Sequence, residues 1–99
     1  MKPMNSKLKD EVTDKLFEAI LTLRTVEECY AFFEDLCTVH ELKSLAQRLE
    51  VAKMLEAKRT YTEIQQFTGA STATISRVNR SLSYGSDGYK IILERIEQS

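Results

Sequence analysis

The sequence predicts an all-α chain of six helices, and three observations predict it. Between Pro3 and Gly69 there is neither a glycine nor a proline, so nothing in that stretch breaks a helix from within. Strand-type alternation is absent, while apolar residues recur at three- and four-residue spacing. Finally, Thr25 and Glu28, Thr38 and Glu41, and Thr60 and Glu63 each fit the capping box. In that motif the threonine oxygen accepts an early backbone N–H and the glutamate reaches back to the threonine's own.

The elements follow in order. Leu8, Val12, Leu16, Ala19, Ile20 and Leu23 form one apolar stripe, which defines the first helix. A second helix after Thr25 carries Val26, Cys29, Tyr30, Phe32, Phe33, Leu36 and Cys37, apolar around more than half its circumference and therefore expected to be buried on several sides. The third carries Leu42, Leu45, Ala46, Leu49, Ala52 and Leu55, with Arg48 beside the stripe, and ends near Lys58 and Arg59, whose charge suits a helix C-terminus. A short helix from Tyr61 to Phe67, a turn at Thr68-Gly69-Ala70 and a helix from Ser71 to Leu82 come next. The segment from Ser83 to Gly88 has loop composition, and a last helix carries Ile91, Ile92, Leu93 and Ile96.

Ninety-nine residues make a single domain, read as 1–99. A chain this small buries only about 60 to 65% of its unfolded surface and usually relies on disulfides, a metal or a partner chain. One histidine and two cysteines are too few for a closed zinc site without carboxylates. On a helix Cys29 and Cys37 would stand roughly 12 Å apart, too far to bridge; both read as core fillers. A partner chain remains, and Tyr30, Phe32 and Phe33 read as core or dimer interface. His40 has no serine, cysteine or paired carboxylate nearby in sequence and reads as a surface residue.

A hydrophobic share of 42% with 29% charged residues excludes a disordered or fibrous chain, and no apolar run approaches a membrane span. The polar start, Met1 to Ser6, carries no secretory signal, so a cytoplasmic location with reduced thiols is expected. Net charge is −1, but it is unevenly spread: residues 9 to 41 carry nine acidic against three basic residues, and residues 42 to 80 seven basic against three acidic. An anionic partner would meet the second half.

That half contains two short helices joined at a glycine turn, the geometry of a DNA-binding helix-turn-helix at about 61–82. Gly69 can take a positive φ without steric cost. Ile64, Ala70, Ile75 and Val78 would form an inward wedge that fixes the crossing angle. Thr72, Ala73, Ser76, Arg77 and Arg80 would face outward, the small side chains able to approach base edges and the arginines suited to phosphate or guanine. Lys58 and Arg59 are further candidates for phosphates. Generic helical hairpins also use glycine turns, so these residues alone leave both readings open.

The run Gly69-Ala70-Ser71-Thr72-Ala73-Thr74-Ile75-Ser76-Arg77, followed by Asn79 and Ser81-Leu82, resembles the reading head of the Trp repressor family. Length and loop pattern look most like its short members of the YerC/YecD type. The resemblance implies a six-helix, intertwined homodimer that binds a pseudo-palindromic site on double-stranded DNA with two reading heads and regulates transcription as a repressor, associated with the nucleoid. It also implies an effector pocket, in which Arg48 and Arg77 match the family's two tryptophan-holding arginines and Thr38 and Ser81 its polar contacts. Val78 departs from the family, standing where the pocket has glycine directly after the arginine. Its isopropyl group would project into the indole's space or serve as an ordinary wedge residue. The expectation is therefore no tryptophan cofactor, with any effector a smaller anion. Gln65 and Thr68 are also more polar than the generic pattern. Two rival readings are an interaction module without DNA binding, suggested by the net charge, and a small dimeric enzyme clamping an anion with Arg48 and Arg77, for which no acid or nucleophile is evident.

Overall fold

The structure, a computed structural model, describes residues 7–98. Met1 to Ser6, on which the expectation about a secretory signal rests, lie outside them. Among the described residues there are six helices and no strand: α1 (Glu11–Ile20), α2 (Val26–Leu36), α3 (Val39–Glu56), α4 (Tyr61–Thr68), α5 (Thr72–Tyr84) and α6 (Gly88–Gln98). They fall into two compact units, Met1–Val39 and His40–Ser99.

In the first unit α1 starts at Asp10, whose carboxylate accepts the Thr13 N–H at 2.7 Å. Leu8 and Leu23, the ends of the expected stripe, lie outside the helix. Thr25 caps α2 as expected and accepts the Glu28 N–H at 3.0 Å. The reciprocal bond is displaced, however: Glu28 Oε1 accepts from the N–H of Arg24, at 2.8 Å.

No residue of α1 or α2 is buried. The expectation that α2 is covered on several sides is thus corrected for the single chain, because 11 residues with so much apolar surface exceed what this small unit can enclose. Val12, Leu21 and Val26 are 79%, 83% and 67% exposed. Phe32 and Phe33 meet edge-on at 5.5 Å, whereas Tyr30 is exposed. Cys29 is exposed and Cys37 half-buried, both free thiols, so Cys29 is no core filler within one chain.

The second unit holds the core. Val51 and Ala52 from α3, Ile64 from α4, Ala70 from the turn, and Ile75, Val78 and Leu82 from α5 form one buried cluster, with Met54, Leu55, Tyr89 and Leu93 packed against it. α5 runs two residues beyond the expected end, and α6 already begins at Gly88, so the loop shrinks to Gly85–Asp87. The chain leaves α5 at Gly85, whose N–H bonds the Ser81 carbonyl at 2.9 Å. A Cβ there would collide with that same carbonyl, which is why a glycine serves at this point.

The α4 capping box is complete. Glu63 N–H donates to Thr60 Oγ1 at 3.1 Å, and Thr60 N–H donates to Glu63 Oε1 at 3.0 Å. These bonds from Thr60, backbone first, and the Arg59 guanidinium hold the Glu63 carboxyl below its ordinary 4.5. A depressed folded pKa contributes stability present above about 4.5 and lost as pH falls through the folded value. α4 should therefore loosen in acid below pH ~4.5, and Glu63→Gln should remove that part of the pH dependence in amide chemical shifts. Thr60→Ala should cost about 1 kcal/mol in urea denaturation at neutral pH.

Candidate nucleic-acid interface

α4 and α5 pack against each other around the four residues read as a wedge, and all four are buried: Ile64 and Ile75 completely, Ala70 and Val78 to 3% and 2% exposure. Apolar burial supplies the adhesion, and the turn supplies the direction. Gly69 caps α4 at φ 74°, the left-handed region that a glycine enters without strain, and its N–H closes the helix on the Gln65 carbonyl at 2.9 Å.

Thr68, a departure from the apolar pattern, has a definite part in this turn. Its Oγ1 donates to the Ile64 carbonyl at 2.7 Å and accepts the Ala70 N–H at 3.1 Å. A valine could do neither and would strand the N–H of a buried residue. The preference of threonine for bonding the carbonyl four residues back was the available signal. Gln47 on α3 then reaches the same turn, its Nε2 donating to the Thr68 carbonyl at 3.1 Å. Nothing local in the sequence marks that contact, which spans 21 residues.

Ser71 caps α5 by accepting the Thr74 N–H at 3.1 Å, and its hydroxyl bonds Thr74 Oγ1 at the same distance. Beyond this cap Thr72, Ala73, Ser76, Arg77 and Arg80 are all exposed, as are Asn79 and Ser81. Because Thr72, Ser76 and Arg80 follow at four-residue intervals and Ala73 and Arg77 likewise, the five occupy one continuous side of the helix. Small residues lie toward its N-terminus, and the arginines lie nearer its middle and C-terminal end. Lys58 and Arg59 are exposed where α3 passes into α4. Lys58 takes a positive φ of 63° as the helix ends, and Arg59 pairs loosely with Glu63 at 3.6 Å.

The residues assigned to an effector pocket come from both units. Thr38 belongs to the first unit, and the other four to the second. Arg48 is half-buried with its Nε toward the Ser44 carbonyl at 3.4 Å, and Arg77 is exposed. Val78 is a core residue, buried with the other wedge residues. Two open grooves in the second unit lie elsewhere: one of about 390 Å³ involves Lys53, Lys90 and Leu93, and one of about 630 Å³ involves Met54, Arg59 and Phe67. His40 is exposed, and among the described residues no three His, Cys, Asp or Glu side chains gather as a metal site.

Comparison with known proteins gives a consistent result. The sequence profile of the Trp repressor protein family matches residues 11–97. The uncharacterized protein YerC of Bacillus subtilis (strain 168) is 56% identical over 93 residues, covering 94% of this chain and 89% of that protein. A crystal structure of a candidate Trp repressor from Staphylococcus aureus superposes with a TM-score of 0.89 at 59% identity, over 92% of this chain and 91% of that one. A TrpR-like protein from Eubacterium eligens ATCC 27750 gives 0.90 at 59% identity, over 94% and 96%. With six helices in the expected order and a profile match across nearly its whole length, the chain belongs to the Trp repressor family.

Proposed function

We propose that this protein is a homodimeric, sequence-specific DNA-binding regulator that acts as a repressor in the cytoplasm, on the nucleoid, without tryptophan. The observation that carries the reading is the outer side of α5: a capped, exposed helix with small side chains at its leading end and two arginines behind, set on a buried wedge. Thr72, Ala73 and Ser76 meet base edges in the major groove. Arg77, Arg80, Lys58 and Arg59 meet phosphates, and membership of the family supports the same assignment. Two copies place two such helices on a pseudo-palindrome with half-sites about one helical turn, ~34 Å, apart.

A dimer is also what the apolar faces call for. No residue of α1 or α2 is buried, and Phe17, Val26, Tyr30, Ile92 and Ile96 are all exposed. Denaturation by urea should depend on protein concentration, and a natively helical monomer at nanomolar concentration would overturn the dimer.

Recovery of bound DNA from cells, followed by mobility-shift titration, tests the function. A shared palindromic site is expected, with affinity falling on the order of 10³-fold between about 50 and 200 mM salt if six phosphates are neutralised. Arg80→Ala should weaken all sites alike, whereas substitutions of Ala73 should change which sites are selected. No DNA affinity at low salt would leave an interaction module instead, and unchanged selection by Ala73 variants would refute the orientation given to α5.

L-Tryptophan should not be the effector, although Arg48 and Arg77 stand at the matching positions. Val78 fills the place of the family's glycine, and overpacking by a few methyl-sized groups costs ~1 to 3 kcal/mol, roughly a tenfold to hundredfold loss of affinity. Calorimetry should give no heat with the wild type and weak binding with Val78→Gly. Micromolar binding by the wild type, coupled to tighter DNA affinity, would show that the pocket opens around Val78.

A further inference from the structure

We infer that Gln47 is a positioning residue for the reading head: its amide, bonded to the Thr68 carbonyl, fixes the orientation of α4 and α5 on α3 and does so without a ligand. The inference rests on the DNA-binding reading above. Two features carry it, the direction of one hydrogen bond and the lack of direction in the contacts around it.

α3 contributes Val51 and Ala52 to the core shared with α4, the turn and α5. Both are completely buried, but they are short apolar side chains. The hydrophobic driving force has no direction of its own, so a contact made by two short side chains, with Met54 and Leu55 packed beside them, limits rotation less than the interlocked wedge does. A directed bond between α3 and the head therefore adds a constraint that this contact lacks. Gln47 lies four residues before Val51, on the same side of the helix, and is half-buried. Its Nε2 donates to the Thr68 carbonyl at 3.1 Å. The acceptor has no hydrogen to give, so the donor can only be the glutamine nitrogen.

The point of attachment matters. Thr68 is the last residue of α4, and its carbonyl is one of the groups a helix leaves without an internal partner. Thr68 Oγ1 meanwhile ties the Ile64 carbonyl to the Ala70 N–H. One residue therefore joins the end of α4 to the turn, and Gln47 joins that residue to α3. Rocking of the head would stretch the Gln47 bond before it disturbed the wedge, whose four residues move with the head. In a dimer the tether acts twice and sets the spacing of both reading helices, so its loss should affect sites that require that spacing far more than contacts with any stretch of phosphates.

The test uses the full-length protein with Gln47→Met, which keeps length and packing and loses the donor, and Gln47→Glu, which keeps the shape and, when ionised, also loses it. Amide hydrogen exchange is compared between the head, residues 61–84, and α3. Titrations compare the selected palindrome with unrelated DNA of equal length. In both variants the head should exchange severalfold faster while α3 does not, and affinity for the palindrome should fall roughly 10- to 30-fold with that for unrelated DNA unchanged. A role limited to stability would move head and α3 together and lower both DNA affinities alike, which would overturn the inference. So would head exchange at wild-type rates in both variants, whether or not DNA is bound. If the wild type has no DNA affinity, the functional reading falls, and the exchange measurement still decides whether Gln47 holds the head.

Discussion

Among the described residues seven are buried, all between Val51 and Leu82, and they hold α3, α4, the turn and α5 together. They come from three helices and a turn, and each lies where the geometry of α4 and α5 requires a side chain to point inward. A core this small has no redundancy. Ala70 illustrates the tolerance: at 3% exposure it sits in the turn itself, where a larger side chain would push apart the helices whose crossing it defines. The outer side of α5 can be polar and small because its inner side carries the packing.

The turn adds what packing cannot. Apolar packing holds two helices together and sets their crossing, whereas directed hydrogen bonds fix the path of the chain between them. Around Gly69 such bonds are concentrated within a few residues, involving Gln65, Thr68, Ala70 and Gln47. Thr68 looks in the sequence like a polar residue displacing an apolar one. Its position is better understood as a junction: half-buried, bonded through its hydroxyl to two backbone groups and through its carbonyl to α3, it exchanges a little apolar area for a fixed turn.

What was legible in the sequence was what is decided locally. The cap at Thr60, the left-handed Gly69, the wedge residues and the outward side of α5 all follow from spacing within a turn or two of helix, and the structure has each of them. The misreadings share a cause of the opposite kind. Ser83 and Tyr84 have loop composition but remain helical, because the break is set by the close approach of Gly85 to the Ser81 carbonyl. Cys29 and the face of α2 are apolar enough for a core, yet burial depends on what packs against them and not on their own periodicity. Gln47 carried no signal at all, since its partner lies 21 residues away. The family resemblance extended the reading further than periodicity could, to an effector pocket at Thr38, Arg48, Arg77, Val78 and Ser81, of which Val78 lies in the core and Arg48 is half-buried.

Val78 links these observations energetically. Fully burying a valine contributes about 1.5 to 3 kcal/mol, and at 2% exposure Val78 gains nearly all of it. A ligand present at a hundred times its dissociation constant stabilises the state it binds by about 2.7 kcal/mol. The two quantities are of the same size. A glycine at this position would leave the head short of that packing, to be restored by whatever filled the space; a valine builds it permanently into the chain. Order that a ligand would otherwise impose must then come from the protein itself. On the function proposed above, the wedge supplies the adhesion and the bond from Gln47 to the end of α4 the direction, so that a buried Val78 and a tethered turn would be two parts of one arrangement that sets α5 without an effector.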